Sequence, residues 1–226
     1  MLFFVGCAPV YTKPAINAPL FERAGDIQAA AQIGTHGVDI QGAAAVTDYL
    51  GVIAGGSNDS EGDNRHNSVE AGIGYYERFG AGGNGSFAVF GGGGLGDSRG
   101  EGEFLSTREE AAGDFVLGFV QGDIGIASEF ADVGVSGRVT YLRYDFDVGG
   151  TGIAKVVFFE PGAFARVGSR YIKAEAQLGL VLADADDQID WVPIHISIGL
   201  RVNIGEFFAD VDRQPTLVQP PTQTPQ

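Results

Sequence analysis

A chain of 226 residues is long enough for one well-formed domain, and its 36 glycines and 9 prolines favour a turn-rich β protein over a helical bundle. The formal net charge of −15 argues against nucleic acid as a partner, because the phosphates would be repelled. Adaptation to high salt would give the same acidity. No run approaches the roughly 20 consecutive apolar residues of a membrane-spanning helix, but a membrane-spanning strand needs only about 9 to 11.

The first element is a short apolar stretch that ends in Gly6 and the single cysteine, Cys7. This pattern looks like the lipobox of bacterial lipoproteins, in which the cysteine is lipidated after cleavage. Residues 1–7 are therefore predicted to be a partial lipoprotein signal peptide, which would begin upstream of Met1 because no basic region precedes the apolar stretch. The alternative is a chance Gly-Cys pair. Residues 8–24 lack periodicity and predict a periplasmic tether.

Ten strand-like runs follow the predicted tether. The last of them is the clearest, because every even position from Val192 to Ile204 is apolar and every odd position is small or polar. The residues after position 208 are rich in Pro, Gln and Thr and predict a disordered periplasmic tail over 209–226. The ten predicted strands span residues 25–34, 38–46, 49–56, 67–79, 85–96, 115–129, 133–146, 154–167, 171–182 and 191–204.

The connections between these runs alternate in length, as in outer-membrane barrels with short periplasmic turns and long external loops. We therefore predict that residues 25–208 form an all-β fold, a single antiparallel up-and-down transmembrane β-barrel. Ten strands are expected, or eight if two short runs merge. The predicted location is the bacterial outer membrane, with both termini periplasmic. The predicted short turns are 47–48, 80–84, 131–132 and 168–170, and the predicted long loops are 57–66, 97–114, 147–153 and 183–190.

Parity assigns the two faces of each strand, and the apolar face is expected to point outward to lipid. A water-soluble ligand-binding barrel would show the inverse pattern. Aromatic residues near strand ends predict interfacial girdles. The predicted outward set is Ile27, Ile33, Val69, Ile73, Val120, Ile124, Ile126, Val133, Val135, Val139, Leu178 and Leu180. The predicted girdle residues are Tyr49, Phe79, Phe87, Phe130, Tyr171 and Trp191.

Several short motifs resemble uncharacterised outer-membrane β-barrel lipoproteins of Bacteroidota-like bacteria, and the similarity covers nearly the whole barrel. The resemblance implies an outer-membrane barrel and brings no catalytic residues with it. The truncated leader departs from the family pattern. The motifs are Cys7, Asn17-Ala18-Pro19-Leu20-Phe21, Ala45-Val46-Thr47-Asp48, Gly74-Tyr75-Tyr76 and Glu160-Pro161.

The inward face contains acids and bases in similar numbers. Side chains largely fill a barrel of about ten strands, so these charges predict a paired network that plugs the lumen. The alternative is a narrow pore for small ions or solutes, which the same charges would line. The predicted lumen polar network is Glu70, Asp123, Arg138, Glu160, Arg166, Lys173, Glu175, His195 and Arg201, with glutamines at 28, 32, 41, 121 and 177 and Asp39 on the same face.

Three of the predicted external loops contain 13 of the 29 acidic residues. Spaced carboxylates on loops suit calcium, which takes six to eight oxygen ligands, although residues 184–190 lack the glycine and terminal glutamate of an EF-hand. A solvated acidic rim is the alternative interpretation. No other cofactor is expected. The candidate calcium ligands are Asp184, Asp186, Asp187 and Asp190.

No recognisable nucleophile motif accompanies the three histidines, so the chain is predicted not to be an enzyme. A hydrolase at the rim, using His36 and His66 with Asp59 and Asp63, is the least favoured alternative. The predicted function is a structural or surface-interaction role through acidic extracellular loops. The predicted partners are outer-membrane lipid, divalent cations and an envelope or surface protein.

Overall fold

The computed structural model describes residues 11–35, 37–61, 64–104, 107–148, 152–184 and 191–207. Strands make up most of this part of the chain, and a short helical turn at 204–207 follows the last strand. No helix among the described residues is long and apolar enough to cross a membrane. The strands are β1 (Ile27–Gly34), β2 (Gly37–Ala45), β3 (Leu50–Glu61), β4 (Asn64–Phe79), β5 (Gly85–Phe104), β6 (Thr107–Ala127), β7 (Ala131–Val148), β8 (Ile153–Gly168), β9 (Ile172–Leu180), β10 (Leu182–Asp184) and β11 (Ile194–Asn203).

The strands close into one antiparallel barrel. Each of β1 to β8 pairs with the next strand, β8 pairs with β9, β9 with β11, and β11 with β1. The short β10 pairs with β8 in the same register as β9, since Leu182 faces Phe159 and Gly179 faces Gly162. It therefore continues β9 beyond a break at Val181. The fold is a closed ten-stranded barrel with one additional short strand, so the predicted fold class and the count of ten are confirmed.

The exterior of the barrel is apolar on every wall, and all twelve side chains predicted to face outward are exposed there. Inward-facing positions alternate with them, as the period of a strand requires. An exposed apolar belt of this extent is unfavourable in water and favourable in hydrocarbon. The barrel therefore has the surface of a transmembrane barrel. Ile198 on β11, which is 67 % exposed, and Ile33 beside it on β1 are typical of the belt.

The two ends of the barrel differ. Tight turns at 46–49, 80–84, 128–130 and 169–171 lie at one end, here called the lower end, and the opposite end is called the upper end. The predicted turn at Ala131-Asp132 is wrong by three residues, because both residues already belong to β7 and pair with β8. The Ser128 hydroxyl makes the turn instead by donating to the Ala131 carbonyl at 2.6 Å.

Two of the predicted long loops are also wrong, since most of their residues continue the strands. In the region predicted as loop 57–66, β3 and β4 stay paired up to Glu61 and Asn64. In the region predicted as loop 97–114, β5 and β6 stay paired up to Phe104 and Thr107. The backbone ladder continues above the belt, whereas the apolar alternation that reveals a strand ends where lipid ends. The sequence signal therefore stops before the strands do.

The segment predicted as a periplasmic tether lies inside the barrel instead, and this is the largest difference between the prediction and the structure. Residues 11–24 run through the lumen, with Tyr11, Asn17 and Phe21 all less than 5 % exposed. Tyr11 forms a bridge with Trp191, just before the upper end of β11, and the segment reaches β1 at the lower end. An eight-stranded barrel is just filled by side chains, so a wider one has room for an additional stretch of chain.

Tyr11 and Phe207, the first and last described residues, consequently lie at opposite ends of the barrel. The predicted lipidation site, Cys7, lies outside the described residues, as does the predicted tail at 209–226. Both remain predictions.

The lipid-facing belt leads to a stability prediction. Replacing Ile198 by Lys should lower the free energy of unfolding by about 2–4 kcal/mol, because a lysine near the middle of the bilayer loses its hydration. Urea titration of the protein folded in lipid vesicles measures this change. Glu77→Lys, on the exposed face of β4 near the lower end, is the matched control and should cost much less. Equal effects of the two substitutions would contradict a membrane-embedded belt at Ile198.

Candidate functional site

The lumen is where the structure brings the predicted polar residues together. All nine residues of the predicted network point inward; eight are 5 % exposed or less, and the Glu70 side chain is 11 % exposed. Buried charges are tolerated when they are paired and hydrogen-bonded. The described lumen contains two main groups of such pairs, one around Arg138 and one around Glu175.

Arg138 on β7 is the centre of the first group. Its guanidinium donates two hydrogen bonds to the Glu70 carboxylate, at 2.8 and 2.6 Å, and lies 3.7 Å from Glu160. The same guanidinium stacks 4.0 Å above the ring of Phe119. The Tyr11 hydroxyl from the N-terminal segment donates to the Glu160 carboxylate at 2.8 Å. This group therefore joins three strands and the segment that fills the lumen.

Glu175 on β9 is the centre of the second group. Its carboxylate lies between two guanidinium groups, 3.0 Å from Arg166 and 2.8 Å from Arg201. The Gln177 amide also donates to it at 2.8 Å. Each oxygen of this buried carboxylate is therefore bonded to a guanidinium, and the arrangement fixes β8, β9 and β11 against one another.

Two further inward carboxylates are bonded near these groups. Asp132 accepts a hydrogen bond from Lys173 at 2.6 Å, close to the lower end. Asp123 accepts from the Gln121 amide at 3.0 and 3.1 Å. His195, also predicted to lie in this network, is 1 % exposed and lies on β11 above Arg201.

The wall holds the backbone of residues 15–18 with its own side chains. Gln177 pairs with Ile16, accepting from its amide at 2.6 Å and donating to its carbonyl at 2.8 Å. Three other wall residues donate to neighbouring carbonyls, so these buried peptide groups have partners. These three bonds are Gln41 to Ala15 at 2.6 Å, Gln121 to Asn17 at 3.0 Å, and Arg166 to Ala18 at 2.8 Å.

Asn17 adds the reciprocal contacts, since its amide donates to the carbonyls of Gly42 and Ala54 at 3.0 and 3.1 Å. Sequence reasoning placed the glutamines inside the barrel but did not provide a partner for them. The available signal was their number: five inward glutamines, each able to donate and accept, suit a peptide backbone better than they suit ion pairs.

Aromatic side chains fill the upper part of the lumen, which parity had not predicted. Tyr11 stacks on Phe158 with ring centres 4.5 Å apart, and His66 stacks on Phe115 at 5.2 Å. Trp191, predicted to lie in an exterior girdle, instead packs inside against Phe158 and donates to the Val181 carbonyl at 3.3 Å. The alternation along β11 did not show which way Trp191 points, because Trp191 precedes Ile194, the first residue of that strand.

The predicted rim hydrolase finds little support in this arrangement. His66 is 3 % exposed and is enclosed by aromatic rings, although Asp59 lies opposite it on β3. His36 and Asp63 lie outside the described residues.

The predicted calcium ligands do not lie in the described part of the structure. The side chain of Asp184 and the whole of Asp186, Asp187 and Asp190 are outside it. Within the described residues, no group of three or more His, Cys, Asp and Glu side chains is placed to hold a metal ion. A calcium site at 184–190 therefore remains a prediction.

Comparison with known proteins adds little beyond the fold. No protein-family model matches the chain, and no curated protein matches it. Among solved structures, the chain is similar to the translocator domain of the autotransporter NalP from Neisseria meningitidis, with 13 % identity over 82 % of this chain and 91 % of that one and a TM-score of 0.41. It is also similar to the β domain of the Bordetella autotransporter BrkA, with 11 % identity over 80 % and 99 % and a TM-score of 0.33. Similarity at this level does not bear on activity.

The Glu175 group leads to a second prediction. Glu175→Gln should lower the free energy of unfolding by about 3–5 kcal/mol, because it leaves two buried guanidinium groups without their shared carboxylate. Denaturant titration measures the loss, and Glu77→Gln on the exposed face of β4 is the control with an expected change within about 0.5 kcal/mol. A loss below about 1 kcal/mol for Glu175→Gln would show that the buried pairs are not important for the fold.

Proposed function

We propose that this chain is an outer-membrane β-barrel that its own N-terminal segment closes, with a structural or surface-interaction role and no enzymatic activity. The observation that carries the proposal is the filled lumen. Residues 11–21 occupy it, and the wall binds their backbone through side chains of β2, β6, β8 and β9. A barrel built in this way presents its outer surfaces, and not a passage, to its surroundings.

The location follows from the belt and the turns. Single-chain barrels with an apolar exterior and tight turns at one end are typical of bacterial outer membranes, where the tight turns face the periplasm. We therefore place the lower end in the periplasm and the upper end outside the cell. In this orientation Tyr11 lies on the outer side and Phe207 on the periplasmic side, which differs from the predicted periplasmic position of both termini. Lipidation of Cys7 would add a second membrane attachment and remains part of the proposal.

The upper end supplies the surface for interaction. There β5 and β6 continue beyond the belt as a paired ladder, which extends about 23 Å past Asp97 at roughly 3.3 Å per residue. Asp97, Asp114 and Asp145 lie side by side on the outer face of three neighbouring strands. Arg65 lies 3.9 Å from Asp97, and Arg99 and Arg143 lie on the same outer face, two residues from Asp97 and Asp145; these arginines offset part of the charge. A basic region of an envelope or surface protein, or divalent cations, would suit this acidic surface.

The alternative function is a narrow pore, and one observation favours it. A polar cavity of about 410 Å³ opens at the lower end and reaches up to Leu20, with Arg23, Asp26 and Lys173 in its wall. Conduction would require residues 11–21 to move, because they and the aromatic cluster fill the described lumen above Leu20.

Single-channel recording separates the two functions. In planar bilayers the wild-type protein should show no steady conductance once insertion has been confirmed by heat-modifiable gel migration. The triple variant Gln41→Ala, Gln121→Ala, Gln177→Ala should show intermittent openings, because the backbone of the N-terminal segment loses its wall donors. Arg65→Ala, far from the lumen, is the control and should remain closed. A steady, ion-selective conductance of the wild type would favour the pore and overturn the proposal.

Cysteine labelling tests the orientation. In a Cys7→Ser background, Arg65→Cys at the upper end should react with a membrane-impermeant maleimide on intact cells, since the Arg65 side chain is 64 % exposed. Ala81→Cys in the turn at 80–84 should react only after the outer membrane is permeabilised. Both variants must label fully in detergent. The opposite pattern would show that the barrel is inserted the other way round, and labelling of neither on permeabilised cells would argue against the membrane location.

A further inference from the structure

Asp39 on β2 is the exception among the buried carboxylates of the described lumen. The residue is 2 % exposed, and neither carboxylate oxygen accepts a hydrogen bond. The Ser57 hydroxyl and the backbone of Ala15 of the N-terminal segment lie nearby, but neither makes a hydrogen bond of good geometry to it. The other inward carboxylates each accept a hydrogen bond from a cation, an amide or a hydroxyl; these are Glu70, Asp123, Asp132, Glu160 and Glu175.

A small cavity adjoins Asp39, between the wall and the N-terminal segment. Its volume of about 10 Å³ has room for one particle of the size of a water molecule. Two hydroxyls and two carboxylates belong to its lining residues, which makes the cavity rich in oxygen donors. The lining residues are Pro14, Ala15, Asp39, Ile40, Gln41, Gly55, Gly56, Ser57, Ser68 and Glu70.

The charge around this cavity does not balance. Asp39, Glu70 and Glu160 contribute three carboxylates. Arg138 is shared between Glu70 at 2.6 Å and Glu160 at 3.7 Å, and the Lys13 ammonium donates to the Glu160 carbonyl at 3.4 Å. Asp39 and Glu70 are the two carboxylates that line the cavity; Glu70 is paired with Arg138, and Asp39 has no bonded cation among the described residues. A buried carboxylate in this situation needs either a counter-ion or a proton.

We propose that a single sodium ion occupies the cavity beside Asp39, with Asp39, Glu70, Ser57 and Ser68 as the oxygen donors. One positive charge restores the balance, whereas a divalent ion would reverse it. A hard cation suits a set of carboxylate and hydroxyl oxygens, and a cavity for one water-sized particle favours sodium over the larger potassium. The ion would fix residues 14 and 15 of the N-terminal segment against β2, β3 and β4. This inference does not depend on the proposed function, because it concerns a site that any role of the barrel would share.

Thermal unfolding of the full-length protein in detergent micelles tests the site, with NaCl, KCl and choline chloride compared at equal ionic strength. Replacing choline by sodium should raise the unfolding midpoint of the wild type saturably, by about 3–6 °C at tenfold above the dissociation constant. Potassium should have a smaller effect. Asp39→Asn should abolish the dependence on sodium. Ser57→Ala should shift the rise of the unfolding midpoint to higher sodium concentrations. This variant tests the site if Asp39→Asn does not fold.

Asp123→Asn is the matched control, because Asp123 is an equally buried carboxylate of the same lumen with its own amide donor. It should lower the midpoint in all three salts and retain the preference for sodium. Equal wild-type midpoints in sodium and choline would overturn the proposal and leave a buried water only. An Asp39→Asn variant that keeps the sodium response would also overturn the proposal. Equal unfolding midpoints of Asp39→Asn and the wild type in every salt would overturn it as well, because Asp39 would then be protonated in the wild type.

Discussion

The structure depends on one constraint, which is that every peptide group in contact with lipid must be hydrogen-bonded within the protein. A sheet meets this requirement only when its first and last strands pair. Here β1 pairs with β11 from Gln28–Asn203 to Gly34–Ser197, and no open edge remains at that seam. Closure then decides the chemistry of each position, because alternate residues of each strand face either hydrocarbon or the lumen. The apolar belt and the polar interior are both consequences of the closed ladder.

The width of a ten-stranded barrel creates the second problem that the sequence has to solve. Side chains alone do not fill this lumen, and buried charges within it need partners. The N-terminal segment supplies volume, and it also supplies carbonyls and amides for the inward glutamines, as the paired contacts between Gln177 and Ile16 illustrate. The Tyr11 hydroxyl does the same for Glu160. The segment and the wall therefore satisfy each other's polar groups.

The lumen is divided into regions of different character, which bears on what the barrel does. Aromatic rings around Tyr11, His66 and Phe115 occupy the upper part, ion pairs occupy the middle, and a polar cavity opens at the lower end. A water-filled channel would need a continuous polar route, and the aromatic part interrupts it. In the proposed surface role, contacts with the surroundings would involve the strands above the belt, where Asp97 and Asp114 are direct neighbours on β5 and β6.

The sequence by itself determined the barrel, its ten strands and the face of nearly every belt residue. Lipid on one side of each strand and a polar lumen on the other impose a period of two, which is visible at positions such as Ile196 and Ile198. The placement of Arg138 and Glu175 inside followed from the same period. Only the tertiary structure decided which charges pair, since partners such as Glu70 and Arg138 lie on strands far apart in sequence. Only the structure showed that residues 11–21 fill the lumen, that Trp191 points inward, and that β5 and β6 continue above the belt. In each of these places neither face of the chain contacts lipid. Apolar and polar residues therefore do not alternate there, and the sequence does not show where the residues lie.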